Sequence, residues 1–390
     1  MNKIGIIDLF CGTGGLSYGF TKYSAEFETV CAIDILEDAT KTAQLNHPEA
    51  IIINKDIREI RPSEVEDKLL KNNKQVDVIV GGPPCQGFSS IRPFRSEKED
   101  DPRNNLFEQF ALFVNYFKPK VFVLENVVGL ATHKNGKTIQ VIEDCFKDIG
   151  YDVEWKILNA ANFGVPQKRE RLIMIGVKTG LSISFPTPTH YFLGKTIGHK
   201  DKDRVINAEY NIFTSNDYKP AVTVMEAISD LPTIKSGEVI TNYTIPPKNN
   251  YQEKMRFGAE DLSLHSATKH SPKMLEIIKH SGSNISCIPK HLISSGFTTS
   301  YSRLEANEPS NTITVNFVHP ASNKCIHPYQ DRALTPREGA RIQSFDDTFK
   351  FFGTRTQIVK QIGNAVPPLL GKVIAEEVYK SIKDSLLATK

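Results

Sequence analysis

The residue types best suited to covalent chemistry stand in Gly81–Ser89, which reads GGPPCQGFS. This stretch follows Val76–Val80 (VDVIV), an apolar run of the kind that forms a buried parallel strand. Two glycines and two prolines stop the strand and stiffen the turn, so Cys85 is set at the strand's carboxyl end. In open α/β sheets that end is where ligands bind. A thiol on a Pro-stiffened loop, next to Gly87 where a ligand can approach the backbone, is a candidate nucleophile. The competing reading is a buried structural thiol, because free cysteine is among the most buried residue types. The rest of the chain decides between them.

The elements that must position Cys85 repeat one pattern. Ile4–Leu9 (IGIIDL) is a short apolar strand, followed by the glycine turn Phe10–Gly15 and a helical stretch from Leu16. Strand, glycine turn and helix form the unit in which a backbone closes on a ligand at a helix N-terminus. Thr29–Ile33 is a second strand, ending in Asp34, about 20 residues after the glycines, where a ribose-binding carboxylate belongs. Ile51–Ile53 ends near the polar–apolar pair Asp56 and Ile57, and Val121–Leu124 ends in Glu125-Asn126-Val127. With helical stretches such as Leu106–Phe117 between them, these strands predict an α/β fold with a doubly wound, mostly parallel sheet. The polar residues all fall on one edge of that sheet. Tyr151–Leu158 and Arg171–Val177 read as two further strands, separated by FGVPQKRER. Lys168, Arg169 and Arg171 there form either a solvated basic turn or, since Arg169 and Arg171 alternate in strand fashion, a pair of guanidinium groups on one face.

Composition narrows the class. The 390 residues allow one large and one smaller domain, and 39% hydrophobic with 24% charged residues suits a globular protein with a sizeable core. A net charge of +3 permits a nucleic-acid partner without demanding one. The six cysteines stand singly, with no CxxC pair, so neither a zinc site nor a disulfide framework is expected and the chain reads as intracellular. No signal peptide is evident, and no apolar run reaches the roughly 18 residues needed to span a membrane.

Seven blocks occur in a fixed order: DLFCGTGGLSYGF (Asp8–Phe20), GGPPCQGFS, DPRNNLF (Asp101–Phe107), ENV (Glu125–Val127), QKRER (Gln167–Arg171), RALTPREGARIQSF (Arg332–Phe345) and QIGNAVPP (Gln361–Pro368). Together they closely resemble the signature blocks of the DNA (cytosine-5)-methyltransferases of the bacterial restriction–modification type. The resemblance covers roughly residues 4–180 and 300–375. Two departures stand side by side: Asp34 where many relatives carry Glu, and Ile35 where some place an aromatic over the adenine.

The resemblance implies transfer of a methyl group from S-adenosylmethionine, without a metal, to carbon 5 of a cytosine within a specific sequence of double-stranded DNA. Carbon 5 is a poor nucleophile. A thiolate adding at carbon 6 makes the ring an enamine whose carbon 5 can attack an electrophilic methyl, and Cys85 is the cysteine with a loop built for that addition. The negative charge gained by the ring needs a partner at nitrogen 3, and Glu125 stands at the adjacent strand end. By carry-over, Arg171, with Arg169, holds the cytosine carbonyl oxygen and nearby backbone. The base that removes the carbon 5 proton is not identified by the sequence; water is one candidate. Phe10, Gly12, Gly14 and Gly15 are expected to cradle the methyl donor, Asp34 to take its ribose hydroxyls, Ile35 to pack on the adenine, and Asp56 with Ile57 to bound the adenine edge. Pro83, Leu106, Asn364 and Val366 join this set by resemblance, with plain core packing an equal reading of Leu106.

Inside duplex DNA carbon 6 is out of reach, so the cytosine must be swung out of the stack. Gln86, Ser89, Ser90 and Arg92 are expected to contact the DNA, with Ile91 or Arg92 filling the gap, although the same loop also reads as a static turn. Residues from about 182 to 300 lose the strong apolar strands, are broken by prolines, and keep apolar anchors at Val222–Ile228 and Met274–Ile278, with Ile313–Val318 beyond. This region reads as a smaller, irregular target-recognition domain, with Thr298, Thr299, Tyr301 and Arg303 as candidate base or phosphate contacts. The expected division is 1–181 with 356–390 as the catalytic, cofactor-binding domain and 182–355 as the small domain, oriented by 331–345. The apolar face of the C-terminal helix should return beside the first strand. A monomeric, cytoplasmic enzyme is expected, associated with the nucleoid and paired functionally, without a stable complex, with a restriction endonuclease. A transfer-RNA cytosine-5 methyltransferase on the same scaffold is the nearest rival; a nucleotide-dependent oxidoreductase has no use for Cys85, Glu125 and Arg171, and a purely regulatory DNA-binding module none for the whole set.

Overall fold

The computed structural model describes residues 3–84, 105–194, 196–208, 218–293 and 295–388. The apolar runs become strands β1 (Ile4–Leu9), β2 (Phe27–Asp34), β3 (Ile51–Asn54), β4 (Val78–Gly81) and β5 (Val121–Asn126). Helices α1 (Gly15–Tyr23), α2 (Glu37–Asn46), α3 (Pro62–Lys71) and α4 (Asn105–Phe117) lie between them. After α5 (Gly129–Thr132) and α6 (Lys137–Asp148), the chain forms β6 (Tyr151–Asn159), the short β7 (Gln167–Lys168) and β8 (Glu170–Lys178). Beyond them come β9 (His190–Tyr191) and β10 (Val205–Ile206).

The main sheet has the order β10-β6-β8-β5-β4-β1-β2-β3. It is mostly parallel, with β8 antiparallel to β5 and to β6. The return from β6 to β8 spans only residues 160–169, too short for the helical crossover that a parallel neighbour requires. Register brings the strand ends level: Leu9 lies opposite Ile33 and Gly81, Gly81 opposite Leu124, and Asp34 opposite Asn54. The polar residues read from the sequence therefore share one edge.

A second apolar core lies beyond this sheet. It gathers α7 (Val224–Ile228) and α8 (Asn250–Arg256) with residues from Leu304 onward, and α9 (Pro272–Lys279) follows α8 in the chain with Ile277 and Ile278 buried. Val224, Ile228, Met255, Ile313, Phe317 and Phe345 are buried in it. Strand β11 (Lys219–Pro220) pairs with β9, and β12 (Ser310–Asn311) with β7. Of the sequence anchors, Val222–Ile228 and Met274–Ile278 fall on α7 and α9, whereas Ile313–Val318 is a turn with Ile313, Phe317 and Val318 buried.

Helix α10 (Pro336–Ile342) is buried along its whole length and opens on a capping box between Thr335 and Glu338. The cations in it and just before it are neutralised locally. Arg332 pairs with Glu338 at 2.7 Å, Arg337 with Asp347 at 3.2 Å, and Arg341 with both Asp230 (2.9 Å) and Asp347 (2.7 Å). Helix α11 (Arg355–Asn364) leads to α12 (Pro368–Ala388). Leu370, Ile374, Val378 and Ile382 on α12 join Ile4, Ile6, Leu16 and Phe20 in the core on one face of the sheet. The two helices touch backbone to backbone, since a Cβ on Gly371 would stand 2.7 Å from the Leu16 carbonyl oxygen. The C-terminal helix returns to the face of the sheet that carries Ile4 and Ile6, with α1 rather than the first strand as its direct neighbour.

Candidate active site

The carboxyl edge of β5 and the start of β8 meet at one ion pair. Glu125 leaves β5, and Arg171 is the second residue of β8, opposite Leu158 of β6. Arg171 Nε stands 2.7 Å from Glu125 Oε1, with only 15% and 13% of the two side chains exposed. Arg171 Nη1 also donates to the Glu170 carbonyl at 2.7 Å, so its guanidinium plane is held from two sides. Next to Glu125, Asn126 donates through Nδ2 to the Pro83 carbonyl (3.1 Å) and accepts the Val127 N–H (2.9 Å). A Cβ on Gly82 would lie 2.9 Å from Glu125 Oε2. The turn that carries Cys85 thus starts against this carboxylate. Cys85 itself, with Gln86, Ser89, Ser90 and Arg92, lies outside the described residues.

Arg169 sits differently from Arg171. It is 2% exposed, and its Nη atoms make long contacts to the carbonyls of Ile313 (3.4 Å) and Asn364 (3.5 Å). Among the described residues its buried Nε has no partner. Burial, then the like charge of Arg171, disfavours its charged form, and Glu125 opposes them. This geometry ties Arg169 to the backbone where the second core and α11 meet the sheet. Beside it, Gln167 accepts the Ile313 N–H at 3.0 Å and donates to Gln343, which donates to the Ala365 carbonyl at 2.5 Å.

On the other side of β4, the glycine turn takes left-handed backbone at Phe10 (φ 58°), Gly12 (φ 51°) and Gly14 (φ 77°). Asp34 closes the turn: Oδ2 accepts the Gly12 N–H at 2.8 Å and Oδ1 the Leu36 N–H at 2.9 Å. Burial raises the Asp34 carboxyl, and these N–H groups partly offset it. Asn54 donates to the carbonyls of Asp34 (3.2 Å) and Ile35 (3.0 Å), which ties the ends of β2 and β3 together. Ile35 and Leu36 are 62% and 53% exposed, an apolar ledge beside the carboxylate. Gly15 lies against Val366, with the place of a Cβ 2.6 Å from the Val366 carbonyl oxygen.

The structure brings Phe10, Gly12, Gly14, Gly15, Asp34, Ile35 and Val366 to this turn, and the other expected members also make contacts within the protein. Both Asp56 oxygens are occupied by Arg58, whose hydrogen bonds hold that carboxyl below its ordinary range. Ile57 is 4% exposed in the core, and Leu106 packs against the same core. The Pro83 and Asn364 carbonyls serve Asn126 and Arg169.

The profile of the family described as C-5 cytosine-specific DNA methylase matches residues 4–380. The chain belongs to this family. It is a DNA cytosine-5 methyltransferase. It is 37% identical over 382 residues to the type II methyltransferase M1.HphI of Haemophilus parahaemolyticus, covering 96% of this chain and 86% of that one. It is 36% identical over 402 residues to the type II methyltransferase M.DdeI of Desulfomicrobium norvegicum, covering 96% and 88%. A solved DNA modification methyltransferase from an E. coli prophage superposes with a TM-score of 0.73 at 27% identity, covering 98% of this chain and 100% of that one.

The family uses S-adenosylmethionine as its methyl donor. The glycine turn fits such a group: Gly12 has open space where a Cβ would stand, and among the described residues the buried Thr13 hydroxyl is unpartnered. No group of three or more His, Cys, Asp or Glu side chains that could hold a metal occurs among the described residues, and no described helix is long and apolar enough to cross a membrane.

Of the residues expected to contact DNA, Thr298 and Thr299 are exposed, and Tyr301 is half-buried with φ 53°. Arg303 has no donor left for a base or phosphate. Its five N–H groups go to the carbonyls of Ser281, His327, Gln330 and Ile278 and to Asp331. Phe297, next to Thr298, is 78% exposed, a feature that sequence reading passed over. Gln167 and Gln343 were also visible inside their blocks, but nothing in the order of residues marks them as partners.

Proposed function

We propose that this methyltransferase modifies one specific sequence in double-stranded DNA, as the protective partner of a restriction endonuclease, and that Cys85 is its covalent nucleophile. The observation that carries this reading is the Arg171–Glu125 pair beside Asn126, which holds the Pro83 carbonyl two residues ahead of Cys85. The two type II methyltransferases M1.HphI and M.DdeI match nearly the whole chain, which supports the restriction–modification role.

The chain's own groups divide the work. Cys85 adds to carbon 6 of a flipped-out cytosine. Glu125 holds nitrogen 3 through a hydrogen bond as charge develops on the ring, and Arg171 fixes the Glu125 carboxylate while its remaining N–H groups face the carbonyl oxygen. S-adenosylmethionine, when bound, supplies an electrophilic methyl group. The glycine turn and Asp34 bind and orient it, and Ile35 with Leu36 covers its base. Residues 182–300 choose the sequence, and 331–345 orients them, within a small domain of residues 182–355 set against 1–181 and 356–390.

The test is a plasmid propagated with this gene and read by bisulfite sequencing. Methylation of a single recurring sequence is expected, with that plasmid resistant to an endonuclease cutting the same sequence. Cys85→Ala should abolish methyl transfer and retain duplex binding, and 5-fluorocytosine at the target should trap the wild-type protein covalently. Turnover by Cys85→Ala on duplex DNA would overturn the mechanism.

A further inference from the structure

Beneath the glycine turn lies a buried polar chain that the mechanism does not use. Asp8, 1% exposed at the end of β1, accepts the Ser17 hydroxyl at 2.5 Å. The same Ser17 Oγ lies 3.2 Å from the Gly14 carbonyl oxygen and 3.4 Å from His47 Nε2. His47, at the end of α2, is 6% exposed and lies flush against the turn: a Cβ on Gly14 would stand 3.2 Å from its Cδ2 and Nε2. Three elements, β1, α1 and α2, therefore converge on Gly14, the left-handed residue that starts α1. A carboxyl, a hydroxyl and an imidazole so deeply buried are costly unless they are bonded to one another. An apolar trio would fill the same space without that cost.

We propose that Asp8, Ser17 and His47 are positioning residues for the methyl donor, a hydrogen-bonded chain that locks the glycine turn in the conformation the donor requires. The proposal rests on placing the donor at this turn. Ser17, whose single proton goes to Asp8, lies against the Gly14 carbonyl, the His47 ring blocks any collapse of the turn toward α2, and Asp34 holds Gly12 from the other side. Donor affinity, rather than the chemical step, depends on the chain.

The charge of Asp8 gives the lock a signature. The groups facing it are Ser17 on α1, Cys11 on the turn, and Asp34 and Cys31 on β2, with His47 on α2 reached through Ser17. Burial raises the Asp8 carboxyl to about 7, and the Asp34 charge adds to that against the Ser17 hydrogen bond. His47 is pushed down to about 4 by burial and stays neutral near pH 7. A sulfonium cation at the turn favours the Asp8 carboxylate, so binding releases a proton and affinity rises as pH climbs through about 7.

Calorimetric titration of the full chain with S-adenosylmethionine and with S-adenosylhomocysteine, which lacks the sulfonium charge, tests this. Ser17→Ala should weaken both about tenfold and leave kcat at saturating donor unchanged. In the wild type, affinity for S-adenosylmethionine should gain on S-adenosylhomocysteine as pH rises, and Asp8→Asn, the same shape without the charge, should remove that gain. Asp34→Ala is the control for the site itself. If it loses both ligands while Ser17→Ala and Asp8→Asn bind them as the wild type does at every pH, the chain is only structural and the proposal fails. If Asp34→Ala also binds normally, the donor lies elsewhere and the underlying placement fails first.

Discussion

The Glu125–Arg171 pair has to act as a unit, because each partner leaves a mostly buried charge behind when the other is removed. Glu125→Gln keeps the shape and loses the acid, so kcat should fall by about 100-fold or more while binding of duplex DNA is retained. Arg171→Lys keeps the charge and loses the planar fork that reaches Glu125 and the Glu170 carbonyl together, so it too should lower kcat more than KM. Steady-state kinetics on the two single variants and the double variant check this: losses that add as independent terms would mean that the pair does not work as one group. Asp34 and Asp56 should likewise separate. Asp34 keeps acceptor capacity after serving two N–H groups, whereas both oxygens of Asp56 are held by Arg58. Alanine at 34 should cost donor binding on the order of 1.5–3 kcal/mol, and alanine at 56 much less, a difference that calorimetry reads directly.

At the scale of elements, the sequence was most legible where apolar runs and turn residues repeat. β1 matches its expected span, and the other strands extend their expected spans or shift from them by a few residues. Strand ends locate Asp34 and Glu125 for the same reason, since a parallel sheet puts its carboxyl ends on one edge, and Arg171 reaches that edge because the antiparallel β8 starts there. What stayed hidden are contacts between residues far apart in the chain. Arg303 reads as a DNA contact by residue type, yet its acceptors lie between Ile278 and Asp331 and no local pattern reveals them. The Gln167–Gln343 bond and the approach of His47 to Ser17 are hidden in the same way. The segment 331–345 was expected to orient the small domain, and the full burial of Arg337 and Arg341 within it sets a testable cost. Arg341→Ala leaves Asp230 and Asp347 without their main partner and should destabilise the protein by about 3–5 kcal/mol in denaturant unfolding. Burial alone would raise the Asp347 and Glu338 carboxyls, but the arginines hold both below the ordinary range. Their stabilisation is therefore present above the ordinary carboxyl range near pH 4 and is lost as pH falls below it. Unfolding followed against pH should show Arg341→Ala with a shallower acid limb than the wild type.

For the whole molecule, the question is whether reading and chemistry can be exchanged separately. The residues assigned to the donor lie before Phe107 or after Gln361, and residues 182–300 contain none of the catalytic blocks, so a graft of 182–300 from a relative of different specificity should carry the choice of sequence with it. Base readout is worth roughly 1–3 kcal/mol per good contact, enough for a few loops to decide the site. The structure adds a condition. Residues 182–300 are stitched to the segment 331–347 by buried bonds from Arg341 to Asp230 and to the Ala227 carbonyl and from Arg332 to the Ile234 carbonyl, and by partly buried ones from Tyr243 to Asp347 and from Arg337 to Ser263. A donor segment without an acid at 230 would leave Arg341 facing an empty place, and the chimera should then unfold early for reasons unrelated to recognition. With that acid retained, the chimera should bind S-adenosylmethionine as the parent does and methylate the relative's sequence, as mapped by bisulfite sequencing. A folded, active chimera that still marks the parent sequence would place recognition outside residues 182–300, with the exposed Thr298–Thr299 turn serving only the fold.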